Sequence, residues 1–138
     1  MKVAALDVGR TRIGLAVKTP ELSSAQAIGT IERRTLKEDL ARIASELLPR
    51  GIERIVVGLP SNMDGSEGAA ARHMRRFASD LEDFIGIPVD LHDERLTTFE
   101  ARELMRDIPI ARGRRKSALD SIAATIILES WLESRDRT

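Results

Sequence analysis

Three acidic residues stand where ordinary patterning would not put them. Asp7 closes the apolar run of "KVAALDV", in step with Val3 and Ala5, at the carboxyl end of a strand. That is where α/β sheets place ligands. An Asp before a glycine-containing link also initiates turns, so both readings stay open for Asp7. Glu94 follows "IPVDL" in "HDERLTT", again at a strand's carboxyl end, and Asp93 beside it competes for the same role. Alternation does not choose between them. Asp120 shares a helical face with Ala123, Ala124, Ile127 and Trp131. An ionised carboxylate on such a face is costly unless paired or bound to a cation. The milder alternative is that Asp120 lies in a first helical turn and complements the helix dipole; its apolar neighbours weigh against that.

A cluster of carboxylates, with no Cys, no Tyr and 2 His in the chain, suits a hard, oxygen-seeking cation such as Mg²⁺ or Mn²⁺. Such ions, in pairs about 4 Å apart, promote in-line attack of water on a phosphodiester. One activates the water and the other stabilises the leaving oxygen. Neither His73 nor His92 has a second histidine at helical spacing, so zinc is not expected and both read as ordinary structural residues. No G-x-S-x-G elbow announces a serine hydrolase.

Basic residues complement the acids. "ARGRRK" (Ala111–Lys116) carries 4 positive charges and no negative one, directly before Asp120. Arg112, Arg114, Arg115 and Lys116 are therefore candidates for phosphate-backbone contacts, which give affinity and salt dependence but little sequence readout. "RHMRR" (Arg72–Arg76) adds 3 arginines, for which a solvated surface is the plain reading. The loop "GLPSNMDGSEG" offers backbone N–H groups from Gly65, Ser66 and Gly68 ahead of a helix, a candidate phosphate contact. It is not a Walker loop, because no G-K-[ST] follows.

Composition bounds these readings. The 138 residues fit one domain, 1–138, without repeats or linkers, and can bury a core without staples. Hydrophobic residues make up 42% and charged residues 32%, as in a globular chain. The absence of Cys excludes disulfides and thiolate catalysis. Aromatics are only 3%, which argues against base-stacking platforms and favours recognition of backbone and shape. No apolar run approaches the roughly 20 residues of a membrane span, and "MKVAALDVG" lacks a signal-peptide plan. A cytoplasmic protein without membrane partners is expected, as a monomer or homodimer.

Elements must position the acids. "KVAALDV", "RIGLAV" and "AQAIGTIER" read as strands. Thr35 with Glu38 forms a capping-box pattern ahead of a helix carrying Leu36, Leu40, Ile43 and Leu47. A buried strand over Arg54–Gly58 ends at Pro60, and a second helix carries Ala70, Met74, Phe77, Leu81 and Phe84 or Ile85. "GIPVDLH" gives a fifth strand. "TTFE" opens a helix through about Arg106, and Ser117 caps a last helix carrying Leu119, Ala123, Ile126, Ile127 and Trp131. Antiparallel strands followed by alternating strands and helices imply a mixed sheet covered by helices.

"ALDVGRTRIGLAV", "VVGLPSNMDGSEG", "HDERLTTFEA" and "RRKSALDSIAATIILESWL", in this order, resemble the four motifs of the bacterial YqgF/RuvX family. The resemblance implies an α/β, RNase H-like fold: a five-stranded mixed sheet, its first three strands antiparallel, flanked by helices. The family is described as Holliday junction resolvases and as nucleases that mature the end of the 16S ribosomal RNA precursor. By resemblance, Asp7, Glu94 and Asp120 are the catalytic and metal-binding acids, with Mg²⁺ or Mn²⁺ as cofactor. A nucleic-acid partner is implied, precursor rRNA ahead of branched DNA. Two other classes are weighed against this. "DVGRTRIG" is similar to the phosphate loop of actin-like and sugar-kinase folds, but those need two such domains. A non-catalytic nucleic-acid-binding module would keep the basic patches, yet all three family acids are present.

Overall fold

The computed structural model describes residues 1–60, 66–93 and 115–136, the side chains of the last stretch from Ser121 to Arg135. Three strands open the chain: β1 (Val3–Val8), β2 (Arg12–Lys18) and β3 (Gln26–Glu32). Helix α1 (Leu36–Leu47) and a 3₁₀ turn (Leu48–Arg50) lead to β4 (Arg54–Leu59). Helix α2 (Ala69–Ile85), β5 (Val89–Asp93) and helix α3 (Arg115–Asp136) complete the described elements. The sheet has 5 strands in the order β3-β2-β1-β4-β5. β1, β2 and β3 pair antiparallel, whereas β4 and β5 run parallel to β1, as the element order predicts.

Both faces of the sheet are covered. Ala4, Leu6, Ile13, Leu15, Ile55 and Val57 point to one face, against Leu40, Ile43 and Leu47 of α1 and Phe77 and Leu81 of α2. Val3, Ala5, Ala16 and Val56 point to the other, where Ala124, Ile127, Leu128 and Trp131 of α3 close over them. This two-sided burial is why β1 and β4 read as continuous apolar runs rather than alternating ones.

Local chemistry sets the helix ends, with some departures from the sequence reading. Thr35 caps α1, its hydroxyl accepting from the Glu38 N–H at 3.2 Å. The acid that reaches back is Asp39 rather than Glu38: its Oδ1 accepts from the Arg34 N–H at 2.8 Å. Gly86 ends α2 at φ 75°, a left-handed cap that favours glycine. Leu36, expected in the α1 stripe, is exposed; of Phe84 or Ile85 in the α2 stripe it is Ile85 that packs on the core, and Ala71 rather than Ala70 is buried. The stripe of each helix is thus rotated slightly from the expected one. Helix α3 already includes Arg115, so Ser117 lies inside it rather than capping it. The helix expected from "TTFE" to Arg106 lies outside the described residues.

Candidate active site at the carboxyl end of β1

Asp7 lies inside β1, paired with Gly14 of β2, and the ladder continues through Val8↔Ile13. The turn beyond is closed by backbone groups: the Gly9 N–H donates to the Arg12 carbonyl at 2.8 Å and the Arg33 N–H to the Thr11 carbonyl at 2.8 Å. Asp7 is therefore a strand residue, and the turn forms after it. It alternates with Leu6 and Val8, which face α1 and α2, so it shares the α3 face with Val3 and Ala5.

The strand register explains what surrounds that carboxylate. Gly14 is the partner of Asp7 on one side and of Thr30 on the other. On the β4 side Leu6 pairs with Val57, so continuing that register by one residue sets Asp7 beside Gly58, which pairs with His92 of β5. A single row thus crosses the sheet as Thr30, Gly14, Asp7, Gly58, His92. Side chains directly opposite on neighbouring strands are about 5 Å apart. With glycine on both flanks, the central carboxylate has no side chain beside it on either adjacent strand. Glycines inside strands mark such close approaches, a signal present in "RIGLAV" and "VVGLP" but not read from the sequence.

Helix α3 supplies the roof. The Ser121 hydroxyl donates to the Gly29 carbonyl at 3.0 Å, and Gly29 pairs with Leu15, itself opposite Leu6. The far part of α3, at Glu129, Leu132 and Glu133, borders a hollow with Met1, Val3 and Lys18 at the amino end of β1. The described part of the helix thus runs from the Gly29 carbonyl of β3, at Ser121, to the hollow at the amino end of β1, and its Ser130 reaches His92 on β5. Position 120 lies one turn, about 6 Å, ahead of buried Ala124.

The same register sets the faces of β5. Val89 and Leu91 pack against the α1–α2 core, so Asp93 alternates onto that face, opposite to Asp7. Asp90 and His92 lie on the α3 face. Asp90 is held there by Arg54 Nη1, at 3.0 Å and 3.1 Å to its two oxygens. The His92 ring exchanges a 2.8 Å hydrogen bond with the Ser130 hydroxyl of α3. Burial lowers the imidazole pKa below its ordinary value, against an opposing pull from Asp93.

Two residues not foreseen from sequence brace the turn after Asp7. Arg33 Nη1 donates to the Gly9 carbonyl at 2.8 Å. Its Nε sits 3.6 Å from Oδ2 of the buried Asp39, and its guanidinium lies 5.9 Å from the Phe77 ring centre. Gly9 itself is needed for closeness, since a Cβ there would meet the Arg12 carbonyl at 3.0 Å.

Of the residues singled out from sequence, Asp7 is placed in the row and Asp120 lies on α3, one residue before Ser121, whose hydroxyl reaches the Gly29 carbonyl of β3. Arg115 and Lys116 fall in the first turn of α3. Ser66 is exposed, two residues before the Gly68 cap of α2. Glu94, Gly65, Arg112 and Arg114 lie outside the described residues. Among the described residues no group of 3 or more His, Cys, Asp or Glu gathers as a metal site. The described part of the chain contributes an oxygen donor at Asp7 in a glycine-lined cradle, which fits a hard cation and not a soft one. No described helix is long and apolar enough to cross a membrane.

The family model described as "RuvX: Holliday junction resolvase" matches residues 1–134. The chain belongs to this family. A protein of Anaeromyxobacter dehalogenans (strain 2CP-1 / ATCC BAA-258), named "Putative pre-16S rRNA nuclease", is 46% identical over 135 residues, 98% of either chain. Among solved structures, T. thermophilus RuvC in complex with a Holliday junction substrate aligns with a TM-score of 0.62 at 18% identity, covering 97% of this chain and 96% of that one. The fowlpox virus resolvase in complex with Holliday junction DNA aligns with a TM-score of 0.58 at 13% identity, covering 97% and 98%. At these identities the likeness speaks for the fold alone. That fold is RNase H-like, as the four sequence motifs implied.

Proposed function

We propose that this protein is a cytoplasmic, metal-dependent endonuclease that hydrolyses phosphodiester bonds, with precursor 16S rRNA as its substrate. Asp7, Glu94 and Asp120 form its acidic set. The observation that carries this reading is the position of Asp7 at the centre of a row flanked by Gly14 and Gly58, on the sheet face that α3 covers. Alternation removes Asp93 from the Asp7 face, which favours Glu94 as the third acid. The carboxylates would hold Mg²⁺ or Mn²⁺, and when bound a pair of such ions supplies water activation and stabilisation of the leaving oxygen.

The chain's own contribution is orientation and substrate contact. Asp7 sits on a strand hydrogen-bonded on both sides, so its carboxylate is fixed before substrate arrives. Arg112, Arg114, Arg115 and Lys116 would contact the substrate's phosphates. Two of them occupy the first helical turn, where cations oppose the helix dipole, so helix stability does not account for their placement. Contact with phosphates does. Gly65 and Ser66 would offer backbone donors ahead of α2.

The relative's name supports an rRNA substrate; the family description supports a second reading, cleavage of branched DNA. One experiment separates them. Wild type and Asp7→Asn are assayed on precursor 16S RNA and on a four-way DNA junction, with Mg²⁺ or Mn²⁺ at fixed salt. Wild type should cut the RNA in a metal-dependent way, and Asp7→Asn should be inactive while melting like wild type. Cleavage of the junction alone would establish the second reading. Cleavage of neither would overturn both.

A further inference from the structure

The run "RHMRR" is the charged motif the proposed site leaves unused, and in the structure its arginines part ways. Arg75 is occupied by Glu67 through two bonds, Nε at 2.6 Å and Nη2 at 2.5 Å. Arg72, His73 and Arg76 are exposed within one turn of α2, and none has a hydrogen-bond or ion-pair partner among the described residues. Together with Ala69 they border a hollow of about 310 Å³.

That hollow adjoins a larger one. His73 and Arg76 also line a cleft of about 660 Å³ whose other walls include Val8, Gly9, Arg10 and Pro60. Arg10 is exposed at its rim and unpartnered among the described residues. Asp80 is the one acid among the described lining residues, a turn beyond Arg76 and not within ion-pair distance of it. The cleft begins one residue after Asp7, at the carboxyl ends of β1 and β4, on the face opposite α3. A polynucleotide passing over these strand ends meets Asp7 on one side of the sheet and this cationic strip on the other.

We propose that Arg10, Arg76 and Arg72 form a second nucleic-acid contact, gripping the phosphate backbone of the substrate on the α2 side of the sheet. This rests on the nuclease reading above. Unpaired guanidiniums present forks that match phosphate oxygens, and three of them along two adjoining hollows attract a polyanion where a single one would not. Among the described residues no exposed Phe or Trp lines the strip, and Phe77 is buried in its floor. The contact is therefore to backbone and not to stacked bases.

Binding of a fluorescein-labelled single-stranded RNA of mixed sequence, followed by anisotropy in EDTA so that no cleavage occurs, tests this across a salt series. Losing two phosphate contacts in Arg72→Gln/Arg76→Gln should flatten the slope of log K against log[salt] by about 1.4 and weaken binding about tenfold near physiological salt. Arg10→Gln should flatten it by about 0.7. Arg72→Lys/Arg76→Lys keeps the charges and most of the slope. Arg75→Gln, whose wild-type side chain is already held by Glu67, should match wild type. A double Gln variant that melts like wild type and keeps both slope and affinity overturns this inference and leaves the nuclease reading standing. A wild type that binds no RNA and cuts neither RNA nor branched DNA overturns both.

Discussion

Asp39 has no contact with the proposed metal site, yet its loss should be felt there. It is 1% exposed, in the first turn of α1. One oxygen accepts from the Arg34 amide at 2.8 Å and the other lies 3.6 Å from Arg33 Nε. Arg33 in turn holds the Gly9 carbonyl, two residues past Asp7. Asp39→Ala removes a charged acceptor from a part-buried amide hydrogen bond, worth about 1.5–3 kcal/mol. The ion pair adds up to about 1 kcal/mol, because the Arg33 side chain is 30% exposed and screened by water. A loss of about 3 kcal/mol follows. With an unfolding entropy of about 2.1 cal/mol/K per residue over 138 residues, Tm should fall by about 10 °C. Asp39→Asn keeps the acceptor and should lose only about 3 °C on the same scale. The two variants also differ in function. A shift of about 1 Å in a group next to the reacting centre costs on the order of 100-fold. Well below its Tm, Asp39→Ala should therefore lose more than tenfold in kcat with little change in KM, whereas Asp39→Asn stays near wild type. Calorimetry and steady-state cleavage report the two effects separately. An Asp39→Ala protein with wild-type kcat would refute the positioning argument; one whose Tm falls by less than about 2 °C would refute the energetic one.

Other outcomes follow from the same geometry. Gly14→Val puts two methyl groups beside Asp7 and should weaken Mn²⁺ binding in titration calorimetry, with an overpacking cost of about 1–3 kcal/mol read from denaturant unfolding. Trp131→Ala opens a cavity between α3 and Val3, Ala5 and Val56, and should cost about 3–5 kcal/mol by circular dichroism melts. Thr35→Ala removes the α1 cap and should cost about 1 kcal/mol in the same melts. Arg75 holds the Glu67 carboxyl below its ordinary pKa, so the folded state binds its proton less readily than the unfolded chain. The stabilisation is present above the unfolded value of 4.5 and fades as pH falls through the lower folded one; Glu67→Gln should remove that part of the acid dependence.

Much of this architecture was legible from hydrophobic patterning, because buried parallel strands and amphipathic helices write strong periods into a chain. Strands β1, β2 and β4 appear in the sequence almost to the residue, and the Thr35 cap is visible as such. What was not legible depends on pairing. "RIGLAV" and "VVGLP" each carry an interior glycine, but only register reveals that Gly14 and Gly58 flank the same carboxylate. Asp93 and Glu94 look equivalent in a string; alternation along β5, fixed by Val89 and Leu91 against the core, takes Asp93 to the far face. The capping box pointed to Glu38, and the back-bond went to Asp39, the residue α1 turns toward Arg34 and away from water. Leu36 and Phe84 fit a helical stripe by spacing, yet stripe edges are set by where the neighbouring element ends.

The direction of α3 ties these observations together. The described part of the helix runs from Ser121, bonded to the Gly29 carbonyl of β3, to the hollow at the amino end of β1, and so covers the sheet face that carries Asp7. Its extent also bears on the two readings of Asp120: the helix starts at Arg115, so position 120 lies past the first turn, to which the pull of the dipole is confined. Asp7 thus sits where the fold tolerates charge: at a strand end and beside glycines. Basic residues at the start of α3 have no such tolerance, and that contrast is what favours a polyanion as their partner.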